Sequence, residues 1–146
     1  MKLGEKIMAM ALELTRIRSV VGTAGEIAIA DAVYEKLSQL PYFRQYPENL
    51  RLVPVRGDEL GRKIVFALIE GGRDKNKTLV GLGHIDTVGV GDYAELQEVA
   101  TEPDILKKKL PGTKFSEPAM SEILSAEWLL GRGVLDMKTG VAALMA

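Results

Sequence analysis

Apolar residues recur in the first segment at Leu3, Ile7, Met10, Leu14 and Ile17. Steps of three and four predict an amphipathic helix, placed over residues 3–18. A second helix, over residues 24–40, buries Ile27, Ala30, Val33, Tyr34 and Leu37, and Pro41 lies just past its end. Its start carries the spacing of a capping box, Thr23-Ala-Gly-Glu26, in which hydroxyl and carboxylate satisfy free amides of the first turn. The period then changes. Residues 50–55 and 63–70 read as strands separated by the turn-like Arg56-Gly-Asp-Glu-Leu-Gly61, and the second is a nearly continuous apolar run of the kind a central strand needs. The exposed turn Gly71 to Lys77 leads into a third strand, residues 78–83. Residues 92–127 are polar and proline-punctuated and read as a surface insertion, with weak helical signals at 94–100, 104–109 and 119–124. The apolar pattern returns over residues 133–146 as a short strand, Val134-Leu135, and a helix from Met137 onward. Helices followed by increasingly buried strands predict a layered α/β domain with a mixed sheet.

Composition narrows the function classes. A chain of 146 residues with 47% hydrophobic content can bury a core as one globular domain. A net charge of -1 gives no electrostatic footprint for nucleic acid, and the longest cationic run, Lys107 to Lys109, reads as a solvated helix end. Charges interrupt the N-terminal apolar positions, which predicts neither a signal peptide nor a membrane span. The absence of cysteine excludes disulfides and thiolate metal ligands and fits a cytoplasmic location.

The candidate chemistry lies at strand ends, where open α/β sheets gather their ligands. The single histidine, His84, follows the third strand and stands two residues before Asp86. In extended chain such residues point the same way, so the carboxylate can hold one ring nitrogen and leave the other for a metal. A lone His-x-Asp also arises by chance. A phosphate-cradling loop does not fit, because Gly81-x-Gly83 lacks a third glycine at position 86. Asp136 follows the Gly131-Arg132-Gly133 turn, 52 residues after His84, and reads equally as an ordinary helix cap or as a second strand-end carboxylate.

Together, Gly83-His-Ile-Asp-Thr-Val88 and Gly131-Arg-Gly-Val-Leu-Asp-Met-Lys-Thr-Gly140 resemble the di-zinc metallopeptidase family of aminoacylases, acetylornithine deacetylases, succinyl-diaminopimelate desuccinylases and glutamate carboxypeptidases. The stretches Val20 to Leu37, Pro41 to Val55 and His84 to Leu96 are most similar to its arginine-utilisation branch. The resemblance implies the N-terminal half of a layered α/β/α zinc-peptidase-like catalytic domain. His84 would bind one zinc, Asp86 would orient His84, and Asp136, with a cis bond to Met137, would bridge two zinc ions. It implies hydrolysis of an amide bond in an acyl-amino acid or small peptide-like substrate. The family takes its general-base glutamate and its remaining ligands from beyond the bridging aspartate, so residues 1–146 carry an incomplete site and are expected to be inactive alone. They are also expected to self-associate, with no nucleic-acid or membrane partner. The alternative is a non-catalytic binding or assembly module that retains the fold.

Overall fold

A computed structural model describes residues 1–72, 76–112, 117–125 and 127–146. Positions 73–75 of the turn before residue 78, and positions 113–116 and 126 of the insertion, lie outside the described residues. Two long helices open the chain, α1 (Leu3–Arg16) and α2 (Gly25–Ser38). Along α1 the buried positions are Ala11, Leu14 and Thr15, the last donating its hydroxyl to the Ala11 carbonyl at 2.7 Å. The start of α2 differs from a capping box. Thr23 donates to the Val20 carbonyl at 2.6 Å, while Glu26 reaches back to the Gly22 amide at 2.6 Å. Close packing is the cause: a Cβ on Gly25 would stand 1.9 Å from the Arg18 carbonyl oxygen, so the preceding loop lies directly on the helix start.

Pro41 begins a helix instead of merely following one. It occupies the first turn of α3 (Pro41–Gln45), where a missing amide hydrogen costs nothing. β1 (Leu50–Pro54) and β2 (Lys63–Ala67) pair antiparallel, Leu50 opposite Ala67 and Pro54 opposite Lys63. Their connecting turn is closed by the Asp58 carboxylate, which accepts from the Arg62 amide at 2.7 Å and from its guanidinium Nε at 2.8 Å.

Residues 78–83 are a correction. They join no ladder, and the described sheet has two antiparallel strands, so it is not mixed. A strand needs a neighbour with free backbone groups, and among the described residues no strand pairs with this run. Leu79, Val80 and Leu82 are accordingly 97%, 70% and 84% exposed. Among the described residues, parallel pairing is limited to an isolated bridge between Val20 and Thr87.

The insertion carries irregular turns at Gly91–Val99, then α4 (Pro103–Lys109) and α5 (Glu117–Leu124). Arg16 ties α4 to α1 through Asp104 at 2.7 Å. The expected strand at Val134-Leu135 is absent too. Gly133, at φ 83°, opens a turn, Val134–Lys138, in which Asp136 and Met137 have non-helical backbone angles, before α6 (Thr139–Met145) begins. With no strand edge beside it, this segment satisfies its backbone locally, the Lys138 amide donating to Gly133 at 2.9 Å.

The core joins α1, α2, β1 and α6 through Leu14, Ile29, Val33, Leu50, Ala142 and Met145. The described residues therefore form a mixed helical and sheet domain whose chemistry-bearing segments meet on α6. Among them, no helix is long and apolar enough to cross a membrane.

Candidate metal centre

Two glycines let the His84 segment lie flat on α6. A Cβ at Gly81 would stand 2.9 Å from Leu144 Cδ2, and one at Gly83 would stand 2.9 Å from Val141 Cγ2. Beyond His84 the chain is fixed by the linker that leaves α1. Ser19 Oγ donates to the Ile85 carbonyl at 2.7 Å, the Thr87 amide donates to Ser19 at 2.8 Å, and the Val21 amide donates to Thr87 at 2.9 Å. On the other side, the Val134–Lys138 turn carries Asp136 toward the imidazole, and the Asp136–Met137 peptide bond is cis.

The three side chains singled out from the sequence meet. His84 Nε2 lies 2.7 Å from Asp136 Oδ1, and His84 Nδ1 lies 3.1 Å from the Asp86 carbonyl oxygen and 3.5 Å from Asp86 Oδ1. The shorter Nδ1 approach is thus to the backbone of Asp86. Both ring nitrogens face oxygens that only accept, an environment suited to the imidazolium. The hydrogen bond to Asp136 accordingly raises the His84 pKa above its ordinary value, against a smaller opposing effect of burial and with further help from the Asp86 carbonyl.

A pH prediction follows from that shift. With the folded pKa raised, the His84–Asp136 contact contributes stability that is full below the unfolded value of about 6.5 and disappears as pH rises through the folded value. The chain has one histidine, so an NMR titration reads a single imidazole. Its midpoint is expected above the ordinary value, and Asp136→Ala should return it toward that value. A midpoint that does not respond to Asp136→Ala would show that the contact is not formed in solution.

The donor chemistry suits zinc in kind but not in number. Neutral imidazole and carboxylate are ordinary zinc ligands, and two ligands on a tetrahedral ion stand about 3.3 Å apart, slightly wider than this 2.7 Å contact. A catalytic zinc usually takes three protein ligands, whereas no cluster of three or more His, Cys, Asp or Glu side chains forms among the described residues.

Other residues here were not apparent from motif spacing. Arg132 clamps Asp92 through one guanidinium nitrogen, stands 5.1 Å over the Tyr93 ring and donates its amide to Ala100 at 2.7 Å, tying the Asp136 turn to the insertion. Lys138 is completely buried, and burial lowers its pKa to about 8. It shares helical spacing with buried Val134, Val141 and Met145; a lysine on an apolar stripe is the signal that could have found it. An open groove of about 1060 Å³, walled by Val65, Leu79, Leu144 and Met145 among others, reaches His84 and Asp86 at one end.

The chain is 32% identical over 142 residues to Protein RocB of Bacillus subtilis (strain 168), a match covering 97% of this chain and 25% of that protein. It is also 32% identical over 139 residues to Uncharacterized protein YqjN of the same organism, covering 94% of this chain and 25% of that one. The chain is a partial homologue of both. It spans about a quarter of the length of these curated relatives, and its identity to Protein RocB supports a partial homologue of the branch named by the sequence resemblance. No family model matches the chain, and no solved structure does.

Proposed function

We propose that residues 1–146 form the N-terminal part of a layered α/β/α catalytic domain in a cytoplasmic, zinc-dependent amidohydrolase or peptidase of arginine catabolism. The observation that carries this reading is the meeting of His84 Nε2 with Asp136 Oδ1 at 2.7 Å across 52 residues of sequence, with His84 Nδ1 turned to Asp86. In the proposed site His84 and Asp136 are metal donors. Asp86 keeps the Nδ1 hydrogen engaged so that Nε2 is presented as the ligand atom. Bound zinc supplies a Lewis acid for a carbonyl oxygen and a lowered pKa for water, and a two-ion centre would share Asp136. His84 must lose its second proton before it can ligate, so the contact to Asp136 makes metal uptake compete with protonation. The substrate reaches His84 along the groove, whose apolar walls suit the side chain of an acyl-amino acid or short peptide-like molecule.

Zinc titration of the 146-residue chain tests the half-site. Zinc is expected to shift the His84 ring resonances saturably, with an affinity well short of nanomolar because two protein donors stand where three are usual. His84→Ala should abolish the binding, and Asp86→Ala, which removes the carboxylate 3.5 Å from Nδ1 but keeps the closer backbone carbonyl, should weaken it by less than the about 10–100-fold usual for losing a group that orients a ligand. Ring resonances that ignore millimolar zinc would favour a non-catalytic module. Nanomolar binding to a monomer would mean that further donors exist within these residues.

A further inference from the structure

Asp136 lies on an exposed turn, its carboxylate 86% accessible, and its contact with His84 cannot by itself hold that turn in place. What holds it is the linker that also holds His84. Residues 17–21 leave α1 and make three hydrogen bonds to Ile85 and Thr87, fixing the His84–Asp86 segment on one side. The first residue of the same linker, Ile17, accepts from Lys138 Nζ at 2.6 Å.

Lys138 reaches Ile17 from inside the protein. Its side chain has no exposed surface, and its stem runs beneath Gly133, where a Cβ would stand 3.2 Å from Lys138 Cε and 2.5 Å from Thr87 Cγ2. Glycine at 133 therefore lets the lysine stem and Thr87 close on the turn together. Ile17 caps the C-terminal end of α1, where carbonyls lack helical partners and the helix dipole favours a cation. A lysine meets both demands.

We infer that Lys138 is a positioning residue: its ammonium pins the Asp136 turn to the linker that carries the His84–Asp86 segment, so both halves of the candidate centre share one frame before any metal arrives. This rests on the proposed pairing of His84 with Asp136 for its purpose, but its geometry can be tested without metal. Stability is a poor reason for the lysine. An ammonium taken out of water is costly, and an apolar side chain of similar length often replaces a buried charge without loss. Lys138→Met should therefore keep or raise the melting temperature while freeing Asp136 from its register.

The test is NMR of the 146-residue chain at about pH 5, where an ordinary histidine is protonated. The wild-type His84 Nε2 proton, shielded from exchange by Asp136, should give a resolved signal that Asp136→Ala removes. Lys138→Met should remove it as well, with the amide spectra of α1 and α6 intact. In the double variant Lys138→Met/Asp136→Ala, nothing further should change at His84. Zinc alone should bind Lys138→Met about 10–100-fold more weakly than wild type. A folded Lys138→Met chain that keeps the ring signal and its zinc affinity overturns the inference. If that variant does not fold, Lys138→Gln, neutral and too short to span to Ile17, supplies the same comparison. A wild-type chain with the ring signal but no response to zinc would sink the metal reading and leave the positioning role standing.

Discussion

A purified polypeptide of residues 1–146 is expected to show no measurable hydrolysis of N-acyl amino acids or dipeptides, with or without added zinc. The geometry brings together one imidazole and one carboxylate, 2.7 Å apart. Among the described residues it assembles no cluster of three metal-ligating side chains, and the family resemblance puts the general-base glutamate in sequence beyond these residues. A missing general base alone typically costs about 10²–10⁴-fold, and a metal held by two protein donors adds a large loss in occupancy. The combined deficit takes the rate below ordinary detection. The check is a discontinuous amine-release assay on the isolated chain, with His84→Ala as the control for contaminating enzyme. Turnover that disappears in His84→Ala would show that these residues carry a complete centre. Joined to a polypeptide that supplies the further ligands, the same chain is expected to gain zinc-dependent activity that both His84→Ala and Asp136→Ala abolish.

The isolated chain is also expected to be a dimer or larger at tens of micromolar, because among the described residues the two-stranded sheet leaves its outer edges without partners. Hydrogen-bonded positions alternate along an antiparallel pair. The Val55 amide donates to Arg62 and the Leu68 amide to Asn49, so in the observed register even-numbered β2 residues face β1. Lys63, Val65 and Ala67 then present their backbone groups to the groove. Across it, residues 78–83 offer a second backbone outside any ladder. Beside these edges stand exposed Ile64, Phe66, Leu79 and Leu82. Open edges invite strand addition, and contiguous apolar surface of this kind marks an interface. A second copy of the chain is the occupant at hand, and in a longer polypeptide its own strands would compete for the same place. Light scattering should report the oligomer. Leu79→Asp with Leu82→Asp should shift it toward monomer without unfolding the chain, since both side chains already face water. A stable monomer at that concentration would mean that the fragment closes its own surface in solution.

How far the sequence alone could carry these conclusions differs from element to element. The helices at α1 and α2 were legible because one stripe of each, Leu14 in the first and Val33 and Leu37 in the second, must leave water whatever else the chain does. The β1–β2 hairpin was legible because turn residues separate two strand-like runs. Residues 78–83 have as strong a strand pattern, yet no ladder forms. Pattern reports a readiness to pair, whereas pairing also needs a second backbone at hydrogen-bonding distance. Val134-Leu135 departed for a related reason: Gly133 turns the chain locally, and the neighbouring amides find partners within the turn.

The candidate centre divides along the same line. By itself the sequence determined which residue types could do the chemistry: its one imidazole, a carboxylate two residues on, and a second carboxylate after a glycine turn. These are local facts, set by side-chain chemistry and by backbone freedom at glycine. Only the tertiary structure decided that His84 and Asp136 meet, that Asp86 approaches the ring more closely through its carbonyl than through its carboxylate, and that a buried lysine ties the arrangement to the end of α1. Those contacts join residues 52 and 121 positions apart. Their distances depend on how α1 and α6 pack and on which glycines let the intervening chain lie close to them, and no periodicity or motif spacing encodes a separation that is set by packing.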